Sequence, residues 1–103
     1  MASGILGQSA PSATTNTTVY TVPAATVATF NISICNTSSA SIAVRVALAS
    51  TGTPATSEYI EYGAVIPPNG VLERGGIVAN AAENVVVYAA DAGLAVTVYG
   101  YEV

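Results

Sequence analysis

The chain has 103 residues, of which 51 % are hydrophobic and 8 % charged, and its formal net charge is −4 with two cations. This length fits a single domain, because domains cluster at about 100 to 150 residues. So few cations exclude a basic surface for nucleic acid, and no apolar run approaches the roughly 20 residues that a membrane span needs.

Residues 1–16 show no regular periodicity and contain one apolar pair, Ile5 and Leu6. Such a segment buries too little to fold alone. We predict an extended N-terminal arm over 1–16 that orders against a neighbouring subunit through Ile5 and Leu6, with a frayed terminus as the alternative. The segment also lacks the basic residues and apolar core of a signal peptide. The folded domain is predicted over 17–103.

The next residues predict a first strand, and two longer runs follow it. Residues 17–22 alternate Thr with apolar residues and end at Pro23, which indicates a strand at a sheet edge or corner. Residues 28–35 and 42–48 then repeat with a period of two, and the polar segment 36–41 joins them. We predict that these two runs form an antiparallel hairpin. Their inward residues are Ala28, Phe30, Ile32, Ile34, Ile42, Val44, Val46 and Leu48.

The middle of the chain predicts a loop, a strand and a hard turn. Residues 50–57 are rich in turn-forming types. In the strand at 58–66, Ile60 and Tyr62 are expected on the inner face, opposite Tyr59 and Glu61. Pro67-Pro68-Asn69-Gly70 predicts a turn, since a fixed φ is followed by residues that tolerate positive φ.

The last third of the chain predicts three more strands. Residues 71–78 form a strand that Gly75-Gly76 interrupts. Residues 85–90 are apolar on both faces, which is typical of a strand in the middle of a sheet or beneath another subunit. In the final strand, Leu94, Val96 and Val98 alternate with Thr97, Tyr99 and Tyr101. Together these patterns predict an all-β, single-domain antiparallel β-sandwich or jelly roll of about seven strands with an extended N-terminal arm.

The chain has few of the groups that catalysis and metal binding use. It contains no histidine, the usual base near neutral pH. The single cysteine, Cys35, forms no internal disulfide and is assigned no role. We therefore predict a protein that is not an enzyme and that holds no metal or cofactor. The acidic residues are Glu58, Glu61, Glu73, Glu83, Asp91 and Glu102.

The scarcity of charge points to contacts with other subunits. An ordinary soluble domain is about 25 % charged, so we expect neighbours to cover part of this surface; a monomer coated with Ser and Thr is the alternative. Arg45 falls on an outer face, where a covered guanidinium needs a neighbour's carboxylate. Arg74 is predicted to form a similar interfacial pair, and simple solubility is the alternative for both cations.

Tyrosines supply the remaining interface candidates, because an aromatic ring with a hydroxyl suits a partly wet contact. A sugar-binding platform would use the same side chains, and packing at a core or edge is a further alternative. The tyrosines with outward registers are Tyr59, Tyr88, Tyr99 and Tyr101.

Several segments of the sequence resemble segments of a known protein family. They are Tyr-Thr-Val-Pro-Ala at 20–24, the run at 27–36, Tyr-Ile-Glu-Tyr at 59–62, the run at 66–74 and Val-Tyr-Gly-Tyr-Glu at 98–102. In this order they resemble small structural proteins of tailed bacteriophages, especially phages of cyanobacteria. Two departures concern a turn and local charge: Ala25-Thr26 stands where Gly-Lys is expected, and Gly75 where Thr is expected.

The resemblance implies a non-enzymatic virion protein. The expected role is capsid decoration, in which a cement protein stabilises the head lattice through contacts with the major capsid protein. It implies a homo-oligomer, with a trimer favoured, on the capsid surface of a particle assembled from proteins made in the host cytoplasm. No nucleic-acid or membrane partner is expected. The alternatives are a tail, neck or baseplate component, or a glycan-binding domain on the virion surface.

Overall fold

The structure is a computed structural model that describes residues 3–103. The all-β prediction is confirmed, with eight strands in place of about seven and a single 3₁₀ turn at Thr56–Glu58. The strands are β1 (Ser3–Ser9), β2 (Asn16–Thr21), β3 (Ala28–Asn36), β4 (Ile42–Ala49), β5 (Tyr59–Ile66), β6 (Val71–Ala79), β7 (Asn84–Ala89) and β8 (Leu94–Glu102).

The strands form two four-stranded antiparallel sheets that pack face to face. The first sheet has the order β1-β8-β3-β6, and the second has the order β2-β7-β4-β5. The pairs β1–β8, β2–β7, β3–β6 and β4–β5 are nested like one long hairpin wrapped around itself, which is jelly-roll connectivity. Within residues 3–103, no helix has the length and apolar character to cross a membrane.

The core lies between the sheets, where the period-two runs point their apolar side chains. Phe30, Ile32 and Ile34 of β3 face Val44 and Val46 of β4, and each is at most 1 % exposed. Burying one such side chain contributes about 1.5–3 kcal/mol. The domain measures 41 × 27 × 19 Å, and the smallest extent fits two sheets about 10 Å apart with their outer side chains.

The predicted hairpin between β3 and β4 is wrong, because the two strands belong to opposite sheets. Asn36 lies at the corner between them and is fully buried. Its Nδ2 donates to the carbonyls of Ala40 and Ile66 at 2.8 and 2.9 Å, and its Oδ1 accepts from the Ser38 backbone N–H at 2.9 Å. This network holds a crossing between the sheets, which alternation alone does not distinguish from a hairpin turn.

The structure also corrects the prediction of an extended N-terminal arm that orders against a neighbouring subunit. Ser3–Ser9 forms β1, an edge strand of the first sheet that pairs along β8. Leu6 packs against the core and Ile5 points outward. The segment gains its strand conformation from the ladder with β8, since its own sequence lacks alternation. Met1 and Ala2 lie outside the described residues.

Glycine bulges shape the two strands on one side of the sandwich. Gly63 in β5 and Gly76 in β6 have φ of +77° and +69°, and the pairing register shifts beside each of them. β6 therefore continues through Gly75-Gly76 where an interruption is predicted. The turn predicted over 67–70 is present, with Asn69 at φ 60° and the Gly70 N–H donating to the Pro67 carbonyl at 2.9 Å.

Candidate functional site

Three of the six acidic residues make contacts that serve the fold. No group of three or more His, Cys, Asp or Glu residues comes together within residues 3–103 in a way that could hold a metal ion. Glu61 pairs with a cation, Glu102 accepts a hydrogen bond from Tyr20, and Glu58 closes a loop. The candidate functional sites are therefore the outer faces of the two sheets.

The outer face of the second sheet carries a cation between two aromatic rings. Arg45 of β4 lies opposite Tyr62 of β5 and Tyr88 of β7 in the strand register. Its guanidinium carbon is 4.4 Å from the centroid of the Tyr62 ring and 4.7 Å from that of the Tyr88 ring. Both distances lie within the range of cation–π attraction, about 6 Å. We call Tyr62, Arg45 and Tyr88 the Tyr–Arg–Tyr row.

Tyr62 is the member of this row that the sequence prediction missed. The prediction placed it on the inner face, but its residue is 63 % exposed on the outer one. The bulge at Gly63 shifts the register between Val44 and Arg45, so Tyr62 comes to lie beside Arg45. A glycine directly after an aromatic residue in a strand was the available signal, because an isolated strand glycine often marks a bulge.

Tyr59 occupies the rest of this outer face. Its ring meets that of Tyr62 edge-on, with centroids 5.0 Å apart at 82°. It also packs on a small apolar cluster of Ala47, Ala49 and Val86, each at most 1 % exposed although all three point away from the core. The second sheet thus covers several of its outer apolar residues with its own chain, although Tyr62 and Val65 on the edge strand β5 stay exposed.

The loop that precedes Tyr59 is held in place by Glu58. The Glu58 carboxylate accepts hydrogen bonds from the backbone N–H of Ala55 at 2.8 Å and of Ser50 at 3.1 Å. These two bonds lower the pKa of Glu58 from its usual value, and the bond from Ala55 has the larger effect. The carboxylate therefore braces the connection that positions Tyr59.

The outer face of the first sheet is open and almost uncharged. Six of the eight large apolar side chains that are exposed within residues 3–103 lie on it. Glu73 is the one Asp, Glu, Lys or Arg that the described register places there, at the edge strand β6. We call this surface the apolar face. Its exposed apolar members are Ile5, Val27, Val71, Val78, Tyr101 and Val103.

Polar and partly covered side chains complete the apolar face. Tyr99 lies between Ile5 and Asn31 in register, and the Asn31 Oδ1 accepts a hydrogen bond from the Gly76 N–H at 3.2 Å. Cys35 is a free, half-buried thiol on the same face, as its alternation predicts. Tyr99 and Tyr101 point outward as predicted, so this face brings them together with Ile5.

Arg74 forms its ion pair within the chain. Its Nη1 lies 2.8 Å from Oε2 of Glu61, so the partner predicted on a neighbouring subunit is supplied by β5 instead. The pair joins the edge strands β6 and β5 across the open side of the sandwich. Both side chains are partly exposed, at 45 % and 21 %. The contact thus links the two sheets and occupies one of the chain's two cations.

A second polar link joins the sheets inside the domain. The Tyr20 hydroxyl of β2 donates to Oε2 of Glu102 in β8 at 2.5 Å, and the Tyr20 ring meets Phe30 edge-on at 5.9 Å. Burial, followed by the hydrogen bond and the charge of Glu102, raises the pKa of the Tyr20 hydroxyl above its usual value. This pair is structural, since both residues are buried.

Comparison of the chain with protein-family models, with curated proteins and with solved structures finds no match.

Proposed function

We propose that the chain is a non-enzymatic structural protein of a phage virion, most specifically a capsid decoration protein. In this role it binds the major capsid protein on the capsid surface as a homo-oligomer, with a trimer favoured. The sequence phrases that resemble phage structural proteins support the class of protein. The apolar face is the structural observation that carries the proposal.

The apolar face is large enough for only part of a standard protein–protein interface. Four strands about 4.8 Å apart and about seven residues long span roughly 19 × 23 Å. A standard stable interface buries about 800 Å² on each partner, so this face alone supplies a weak contact at most. Exposed apolar patches of a few hundred Å² on a soluble protein commonly mark interaction sites.

A symmetric lattice converts weak contacts into firm attachment. In an oligomer, each further subunit that docks on the same particle binds from a high effective concentration, which raises the overall affinity without new chemistry. Closed symmetry repeats the same contact on every subunit. The mechanism is therefore mechanical: the subunit bridges neighbouring capsid proteins and raises the energy needed to separate them.

The test uses heads of the parent phage from which this protein has been removed. Adding the purified chain is expected to restore binding and to raise the temperature at which the heads rupture. Val78→Asp places a charge in the apolar face at an edge strand and should reduce binding by at least about tenfold, as expected for a buried unpaired charge. Ser39→Asp adds the same charge in the exposed β3–β4 connection and serves as the matched control.

The outcomes separate the related roles. Binding to tails, necks or baseplates with no change in head rupture would replace capsid decoration by a role in that structure. Equal binding by both variants would remove the apolar face from the mechanism. A lack of affinity for every virion component would overturn the proposal as a whole.

A glycan-binding role is the second candidate, and one arrangement favours it. Tyr99 and Tyr101 point outward beside Asn31 and Thr29 in register, which combines aromatic rings with polar groups. Retention on host polysaccharide that Tyr99→Ala and Tyr101→Ala both abolish would support this role. Wild-type protein that elutes without retention would remove it.

A further inference from the structure

The two cations of the chain have different surroundings. Arg74 is paired with Glu61. Arg45 is held by the rings of Tyr62 and Tyr88 on either side of it in the register, and no residue within 3–103 gives its guanidinium a hydrogen bond or an ion pair. A cation in this position has been oriented by the fold without being neutralised.

The donors of Arg45 remain available. No side-chain nitrogen in the described part of the chain is both buried and without a partner, so the unpaired nitrogens of this half-buried residue reach solvent. The guanidinium carbon lies over both rings, and a cation–π contact does not use the five N–H donors of an arginine. The row therefore fixes the side chain and leaves its N–H groups free to bind a ligand.

A small pocket adjoins these donors. It has a volume of about 100 Å³, and its walls include Arg45 and both rings together with Ala43, Gly63 and Ala90. The small residues leave room beside the guanidinium. A space of this size admits a carboxylate with one or two methylenes.

We propose that the Tyr–Arg–Tyr row is a binding site for a carboxylate, presented as a Glu or Asp side chain on a different protein. A planar carboxylate matches the guanidinium fork through two parallel hydrogen bonds. The rings lower the entropy lost on binding because Arg45 is already held in place. This inference does not depend on the assignment to a virion or on the apolar face.

Charge distinguishes the possible sources of the anion. Each copy of this chain carries a net charge of −4, so we expect contacts between copies to form away from this site, whereas a different protein needs only one acidic side chain at the contact. A protein that binds a polyanion such as nucleic acid needs several cations to neutralise its phosphates. Within residues 3–103, Arg45 is the one Lys or Arg on this face. A single protein carboxylate is the ligand that fits.

The test is a nuclear magnetic resonance titration of the full chain with N-acetyl-glutamate α-amide, read at the Arg Nε–H signals and the tyrosine ring protons. We expect a saturable shift of Arg45, Tyr62 and Tyr88 at millimolar probe. Arg74 is the internal control and should not move, because Glu61 already occupies it. The glutamine analogue of the probe, which lacks the charge, should give no shift.

Two variants test the role of the row. Tyr62→Leu keeps apolar volume at an exposed position and should weaken binding about fivefold through loss of one cation–π contact. Arg45→Lys keeps the charge but loses the fork, and the shift of the Tyr62 and Tyr88 rings should then need about tenfold more probe. A purely structural row would leave the probe affinity of Tyr62→Leu unchanged.

Each contrary result overturns the inference in its own way. Equal shifts of Arg45 and Arg74, or equal shifts with the glutamine analogue, would show non-specific contact. Inorganic phosphate binding more tightly than the probe would exclude a carboxylate as the preferred ligand. Arg45 signals that move on simple dilution would assign the site to a second copy of the chain. A saturable shift in a protein that fails to bind phage heads would retain this site and reject the capsid role.

Discussion

The two sheets share one core, but their outer faces are covered to different extents. The second sheet folds Tyr59 over Ala47, Ala49 and Val86 and holds a cation between two rings. The first sheet leaves most of its outer valines and Tyr101 open to solvent. Alternation determines which residues enter a core, whereas the exposure of the other face depends on what the chain folds back across it. The uncovered face is the one that invites a partner.

The largest expected effect tests whether Tyr59 covers the second sheet. Tyr59→Ala should lower the free energy of unfolding by about 2–3 kcal/mol, because it uncovers the buried alanines and Val86 and removes an aromatic contact. The matched change on the apolar face is Tyr101→Ala, which should cost less than about 1 kcal/mol since this residue is half exposed. Urea unfolding measures both values, and equal costs would break the comparison.

A valine on each outer face offers a closer match in size. Val86 is 1 % exposed and Val78 is 62 % exposed. Val86→Thr should cost about 2 kcal/mol, since it buries a hydroxyl in an apolar cluster. Val78→Thr should change stability by less than about 0.5 kcal/mol while shortening retention on a hydrophobic column. A large loss of stability in Val78→Thr would mean that the apolar face is already covered by the chain.

The sequence predicted the residues that fill the core, because alternation is strong there. Over residues 28–34 of β3 and 42–46 of β4, each second side chain is apolar and buried as predicted. At the end of β4, Leu48 is half-buried, and Ala47 and Ala49 of the opposite face are buried under Tyr59. The central position of β7 was one of the two alternatives predicted from its apolar faces, the other being a place beneath another subunit. Alternation also placed Arg45 correctly on an outer face.

The errors arose where long-range pairing or a bulge overrides the local pattern. β1 becomes a strand because β8 offers it a ladder, which residues 3–9 do not reveal on their own. The pairing partners of β3 and β4 depend on whether the corner at Asn36 crosses between sheets, and a turn composition does not show this. At Gly63 one extra residue reverses the outward and inward positions, and Tyr62 moves with it.

Alkaline pH should weaken the hydrogen bond between Tyr20 and Glu102, which joins the two sheets inside the domain. The pKa of Tyr20 is raised in the folded state, so its contribution to stability is complete below the ordinary tyrosine pKa of about 10 and is lost as the pH rises above it. The loss should reach about 1.4 kcal/mol per pH unit. Urea midpoints between pH 8 and 11 measure this slope. Tyr20→Phe should flatten the slope and the exposed Tyr101→Phe should keep it; a steep slope in Tyr20→Phe would assign the alkaline loss to another group.

The smallest expected effects compare the cations at the two sheets. Arg74→Gln removes a partly exposed ion pair with Glu61 and should cost less than about 1 kcal/mol. At 1 M NaCl, where the screening length falls to about 3 Å, most of this cost should disappear. Arg45→Gln removes two ring contacts and should cost about 1 kcal/mol with weaker dependence on salt. Urea unfolding of both variants at low and high salt tests this difference. If the cost of Arg45→Gln vanished in salt as well, the rings would not be what holds that cation, and the second sheet would lose the feature that most distinguishes its outer face from that of the first.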